Sequence, residues 1–252
     1  MTSHMFSWEN LVTTNIDVAK TFYQRLFGWK ATDIPAGEQG THCFFSLDGK
    51  DICSVSEIAE AQRQQYSPQW VPYISVENTE EFMTKAQSAG GHVLAPISPV
   101  LEAGEAAVIQ DPTGAILAIW HPRRNIEKVK NEVPGMICCH ELATNNMDAA
   151  GMFYAKVFDW MPRAEIFGDI TYIMFDAGDH HVAYMMGVPN KDATPRWITY
   201  WHVADCEKSL KKAIALGAKV SKTVEIIKRK GRYAIICDPL GAIFGIMQPA
   251  GS

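Results

Sequence analysis

The sequence predicts an α+β protein of two tandem domains, each made of paired βαβββ modules. Three observations carry that prediction. The stretch NIDVAKTFYQRLFGW, Asn15 to Trp29, is answered by NMDAAGMFYAKVFDW, Asn146 to Trp160. WVPYISVEN from Trp70 is answered by WITYWHVAD from Trp197, and IQDPTGAILAIWHP from Ile109 by ICDPLGAIFGIMQP from Ile236. The landmarks keep their order in both halves, and self-similarity of this kind decides architecture before any single element does.

Each half reads as strand, helix and three strands, and then the same order again. Asn15 is placed to cap a helix whose Val18, Phe22 and Leu26, with Ala19, Tyr23 and Phe27, form a wide apolar face, and Gly28 is placed to end it. Asn146 opens the matching helix, with Phe153, Tyr154, Val157 and Phe158 expected to be buried. His42 to Leu47, Ile52 to Val55, Thr171 to Phe175 and Val182 to Met186 read as strands. Second helices are expected from Thr79 to Ala89 and from Cys206 to Leu216, followed by Gly90 and Gly217. DPTG and DPLG then read as tight turns, with proline second and glycine fourth.

At 252 residues and 47% hydrophobic, the chain has enough apolar material for two cores of ordinary size. The expected domains are 5–121 and 135–249, joined by the charged, proline-bounded linker 122–134. With 23 basic against 28 acidic residues the formal charge is -5, which argues against nucleic acid as a partner. The basic run Lys228 to Arg232 reads as a solvated turn, its functional alternative being Arg232 offered to an anionic ligand. No apolar run approaches the roughly 18 residues of a membrane span, and Met1 to Asn10 has neither the basic start nor the apolar stretch of a signal peptide. The six cysteines form no CxxC pair, as expected for free thiols in the cytoplasm.

AKTFYQRLFGW, AAGMFYAKVFDW and the two DPxGA turns together resemble the vicinal oxygen chelate superfamily of glyoxalases, bleomycin-resistance proteins and extradiol dioxygenases. The resemblance covers nearly the whole chain. It implies that the paired modules form a curved mixed sheet around a cleft, where enzymes of the family hold a divalent metal with four His, Gln or Glu side chains. Carried over by motif, those positions fall on Trp8 and Cys139, near Ser54 and Tyr184, near Val71 and Ile198, and on Ala118 and Gly245. Apolar residues and glycine cannot ligate a metal, so the family's usual site is not expected and no cofactor is required. The chain also holds within itself the pseudo-dimer that single-domain relatives make by association, so a monomer suffices.

Strand alternation then selects the residues that line the clefts. Phe6, Trp8 and Asn10 with Val71, Tyr73 and Ser75 form a mostly apolar first site, in which Asn10, Tyr73 and Ser75 would orient a small organic ligand. In the second half Ile137, Cys139 and Glu141 share a face, as do Ile198, Tyr200 and His202. Cys138-Cys139-His140-Glu141 is therefore not one metal cluster, since Cys138 and His140 turn toward the helix side. Glu141 and His202 are the candidates for proton transfer, as a carboxylate and an imidazole within reach of each other. A divalent metal stays open only through an unorthodox set of Cys139, Glu141 and His202 with His180 or His181, two histidines that otherwise belong to a hairpin. The expected function is small-molecule binding without the usual metal. The alternative is a lyase, isomerase or dioxygenase-type enzyme acting on a carbonyl or aromatic compound.

Overall fold

A computed structural model of the chain describes residues 4–35, 41–123, 133–167, 170–188, 190 and 193–251. The first half runs β1 (Phe6–Thr13), α1 (Ile16–Phe27), β2 (Lys30–Pro35), β3 (Thr41–Leu47), β4 (Lys50–Glu57), β5 (Gln69–Ser75), α2 (Thr79–Ser88), β6 (His92–Val100), β7 (Gly104–Gln110) and β8 (Ile116–Pro122). The second repeats it as β9 (Ile137–Thr144), α3 (Met147–Phe158), β10 (Met161–Phe167), β11 (Ile170–Ala177), β12 (His180–Gly187), β13 (Arg196–His202), α4 (Cys206–Ala215), β14 (Lys219–Ile227), β15 (Gly231–Cys237) and β16 (Ile243–Pro249). Each half forms a mixed eight-stranded sheet, ordered β2-β3-β4-β1-β5-β8-β7-β6 and β10-β11-β12-β9-β13-β16-β15-β14. The architecture is the α+β tandem repeat that the sequence predicts. Of the expected linker, residues 124–132 lie outside the described residues. No helix among the described residues is long and apolar enough to cross a membrane.

The helix ends follow from their caps. Asn15 Oδ1 accepts from Val18 N at 3.0 Å, and Asn146 Oδ1 accepts from Ala149 N at 3.1 Å. Gly28 closes α1 at φ +79°, and Asp159 takes the same left-handed position after α3 at φ +58°. Ile16, Ala19, Phe22, Tyr23 and Leu26 are the buried face of α1. Val18, expected on that face, is 39% exposed because it lies at the edge of the stripe. The residues expected to be buried in α3 are all buried.

Chain packing divides the molecule differently from the repeat. One compact unit gathers the described residues of Met1–Trp8, Val71–Lys128 and Cys139–Ile198, and the other those of Glu9–Trp70, Val129–Cys138 and Thr199–Ser252. Each unit therefore takes one module from each half of the sequence. In the second unit α1 and α4 share a core with Leu11, Cys43, Phe45, Val55, Ala234 and Ile246. In the first, α2 and α3 share a core with Ile74, Leu117, Leu142 and Phe175.

The repeated motifs meet inside these units. Asp238 Oδ1 accepts the backbone N–H groups of Leu240, Gly241 and Ala242 at 2.8, 2.8 and 2.9 Å, which fixes the DPLG turn, while Oδ2 accepts from Tyr23 Oη at 3.0 Å. Trp70 Nε1 donates to the same Tyr23 hydroxyl at 3.1 Å. In the other unit Asp111 Oδ1 caps DPTG through Thr113, Gly114 and Ala115, its Oδ2 accepts from Tyr154 Oη at 2.9 Å, and Trp197 Nε1 donates to Tyr154 Oη at 2.9 Å. A tyrosine from one half is thus bonded to the turn of the other, twice. Burial and the neighbouring aspartate push both tyrosines well above their ordinary pKa, and burial raises Asp238 against the pull of its backbone donors.

Candidate functional site

The site is built on the sheet faces that turn away from the helices. In β1 and β4, Leu11 pairs with Val55 and both are core residues, so Asn10 and Ser54, paired in the same register, lie on the opposite face. Phe44 pairs with Ser54 across β3 and β4 and shares that face, and Ser56 follows opposite Val12. Ser54 Oγ donates to Asn10 Oδ1 at 2.8 Å, and Asn10 Nδ2 donates to Ser56 Oγ at 2.9 Å. Asn10 and Ser54 are buried, at 9% and 8% exposure. His42 precedes the core residue Cys43 and so stands on the Phe44 face; partial burial lowers its pKa, which leaves the imidazole neutral at neutral pH.

On β5 and β8 the core residues Ile74 and Ile119 pair, which puts Tyr73 with Ala118 and Ser75 with Trp120 on the face away from the helices. Trp120 Nε1 donates to Ser7 Oγ at 2.8 Å, Ser7 and Ser75 share a 2.5 Å hydrogen bond, and the Tyr73 ring stands edge-on to Trp120 at 5.9 Å. Trp8 is half-buried. Phe6 does not join this face. Its ring stacks on His140 at 3.9 Å and meets Trp197 edge-on at 5.1 Å, within the helix-side core. Phe6 packs against the core of the first unit, whereas Leu11 lies in the core of the second, and the boundary between the units falls within β1, between Trp8 and Glu9. Ile137 packs against the core of the second unit, whereas Glu141 belongs to the first.

In the second half Glu141, at 6% exposure, pairs with Tyr184 in the row next to the core pair Leu142 and Met185. Tyr184 carries Tyr172 edge-on at 6.3 Å and the His181 ring at 4.4 Å. Cys139 is half-buried in the same unit. Tyr200 and His202, both buried, belong to the other unit, where they alternate with the core residues Trp201 and Val203. The Tyr200 ring stands edge-on to Tyr233 at 6.0 Å. Among the described residues no three His, Cys, Asp or Glu side chains assemble as a metal-holding group, so the unorthodox set of Cys139, Glu141, His202 and His180 or His181 is not brought together. His181 instead turns its Nδ1 to Asp176 Oδ1 at 3.5 Å, beside the hairpin turn. Arg232 does not reach this face either, because its parity is that of the core residues Ala234 and Ile236, and it pairs with Glu207 on α4 at 3.0 Å.

The model of the Glyoxalase/Bleomycin resistance protein/Dioxygenase superfamily matches the chain twice, over residues 4–119 and 137–246. The chain belongs to this superfamily. It is 32% identical to "Putative glyoxylase CFP32" of Mycobacterium tuberculosis over 97% of this chain and 94% of that protein. It is 29% identical to the anthracycline biosynthesis protein DnrV of Streptomyces peucetius over 96% and 92%. Among solved structures, the Mn(II)-bound glyoxalase of Novosphingobium aromaticivorans superposes with a TM-score of 0.63 at 13% identity, covering 98% of this chain and 82% of that one. A homoprotocatechuate 2,3-dioxygenase variant from B. fuscum gives 0.65 at 13% identity, covering 99% and 74%. At that identity the likeness is one of fold.

The positions where the superfamily resemblance places a metal do not fit one here. Val71, Ala118 and Ile198 are buried apolar side chains, and Gly245 offers no side chain at all. The register explains the glycine. Tyr200 pairs with Gly245, and a Cβ at 245 would fall 2.1 Å from Cδ1 of the Tyr200 ring. That ring occupies the space in which a ligating side chain at 245 would begin.

Sequence reasoning missed His42, Ser54 and Ser56 as a group with Asn10. It placed Ser54 as a failed ligand and left the face of β3 unread; the alternation around Cys43 and Phe45 was the available signal. It also missed Glu9, which is fully buried, accepts from Thr199 Oγ1 at 2.9 Å, and adds its charge to the burial that raises the Cys53 thiol. A carboxylate between Trp8 and Asn10 in a strand that continues through Leu11 and Val12 was the sign.

Proposed function

We propose that this superfamily member binds a small organic molecule on the helix-free faces of its sheets without the superfamily's usual metal. The observation that supports this most is the Tyr200 ring lying over Gly245, because it replaces a ligand position with aromatic surface instead of leaving it empty. In one unit the half-buried Trp8, Tyr73, Cys139 and Tyr184 stand with Ser75, and in the other the half-buried Phe44 stands with Asn10, Ser54 and Ser56, each a mixture of apolar contact and fixed polar groups of the composition expected of a small-molecule site. All six cysteines are free, in keeping with a cytoplasmic protein. The test is thermal unfolding against a panel of small aromatic and carbonyl compounds. At least one should raise the midpoint in a concentration-dependent way. No response from any compound, with a metal instead required for folding or activity, would refute the reading.

A second reading is enzymatic. It is favoured by Glu141, a carboxylate at 6% exposure on the face away from the helices, and by the glyoxylase name carried by the mycobacterial relative. Under this reading Glu141 transfers a proton to or from a carbonyl substrate. Glu141→Gln would then abolish turnover of the compound found to bind while leaving its affinity largely intact.

A further inference from the structure

We infer that His42, Ser56 and Asn10 hold the polar end of the ligand, and that this end is an uncharged hydroxyl carried on a planar ring. The inference rests on the small-molecule reading above and names the group that the site would recognise.

The three side chains occupy one face of three adjacent strands, all within one compact unit. Cys43, Phe45, Val55 and Leu11 point into the core beneath, so His42, Phe44, Ser54, Ser56 and Asn10 point the other way. Polar residues on an ordinary solvated sheet face would be exposed and satisfied by water, whereas Asn10 and Ser54 are more than nine-tenths buried and bonded to each other. Their arrangement fixes the direction of the next group. Ser56 Oγ accepts from Asn10 Nδ2, so the hydroxyl proton of Ser56 points away from Asn10, and the second Asn10 N–H is also a donor.

Among the described residues His42 has no hydrogen bond or ion pair, and its register partner on β2 is the apolar Ile34, 37% exposed. A neutral imidazole carries a lone pair on one nitrogen and can take a hydroxyl proton from a ligand whose oxygen accepts from Ser56. The charge this face carries on β2, Lys30, stands at its far end, away from His42, Ser56 and Asn10. Lys20 pairs with Asp33 and Arg63 with Glu57, while Lys30 stands opposite Ser46, four positions along β3 from His42. A carboxylate placed among Asn10, Ser56 and neutral His42 would be desolvated without a counter-charge, so an uncharged hydroxyl is the better match. Phe44, between the two ends of the row, provides the surface on which a ring would lie.

The test compares β-naphthol with its methyl ether, which keeps the ring and removes the donated proton. Binding to the full chain would be read by titration calorimetry. The wild type should bind the naphthol about tenfold more tightly than the ether, and His42→Phe should remove that difference by weakening the naphthol alone. His42→Gln keeps an acceptor and should restore part of the preference; it also serves as the readout if His42→Phe does not fold. Equal affinity for both probes, unchanged in either His42 variant, would overturn the assignment while leaving the small-molecule reading intact. Binding of neither probe would overturn it as well, and would count against both.

Discussion

Tyr23 Oη donates to Asp238 Oδ2 at 3.0 Å, joining residues 215 positions apart. Its counterpart is Tyr154 on Asp111 at 2.9 Å. Both bonds lie between a helix of one repeat and a turn of the other, and both are buried. Removing the hydroxyl leaves a buried carboxylate oxygen without its donor. Tyr23→Phe and Tyr154→Phe should each cost about 1–3 kcal/mol, read as a fall in thermal midpoint of roughly 2–4 °C per kcal/mol. Unchanged midpoints in both variants would show that these bonds do not hold the modules together.

The same bonds bear on the half-chains. A fragment ending at residue 123 contains Tyr23 without Asp238 and Asp111 without Tyr154, and the remaining fragment has the complementary lack. Mixing the two separately produced halves should restore the far-UV circular dichroism and a cooperative melt that neither gives as a monomer. A half that melts cooperatively as a monomer would contradict the exchange of modules.

Gly245 is tied to Tyr200. Gly245→Ala places a methyl group 2.1 Å from the Tyr200 ring and should destabilise by about 1–3 kcal/mol through overpacking. Tyr200→Ala in the same chain should relieve part of this, with a coupling of about 0.5–3 kcal/mol in a double-mutant cycle. Additive effects in chemical denaturation would mean that the two residues do not compete for the same space.

His42 gives the pH dependence a sign. Partial burial holds its pKa below the ordinary 6.5, so on acidification the unfolded chain takes up that proton before the folded one. The contribution of neutral His42 is present above the unfolded value and is lost as pH falls through the folded value. His42→Gln should therefore flatten the loss of stability on going from neutral to mildly acidic buffer. An identical slope in the variant would contradict the shift.

Much of the fold was legible because the repeat, the Asn caps and the DPxG turns are local signals. Asn15, Gly28, Asn146 and both turns act in the structure as their residue types require. The regrouping of modules was not legible, because Tyr23 and Asp238 carry no local mark of being partners. Alternation named Asn10 and Glu141 as residues facing away from the helices, which is where they stand. It failed at Phe6 and Ile137 because the first strand of each half runs from one unit into the other, so that its two ends meet different cores. His42 was passed over because a lone histidine in a strand has no pattern until its neighbours on β1 and β4 are known.

The most direct test of the central claim is elemental analysis of the protein purified without chelator and then equilibrated with manganese, iron, nickel and zinc. Apolar residues at 71, 118 and 198 and the Tyr200 ring over Gly245 predict less than about a tenth of an equivalent of any of them. A full equivalent of one metal, lost together with ligand binding on chelation, would contradict it.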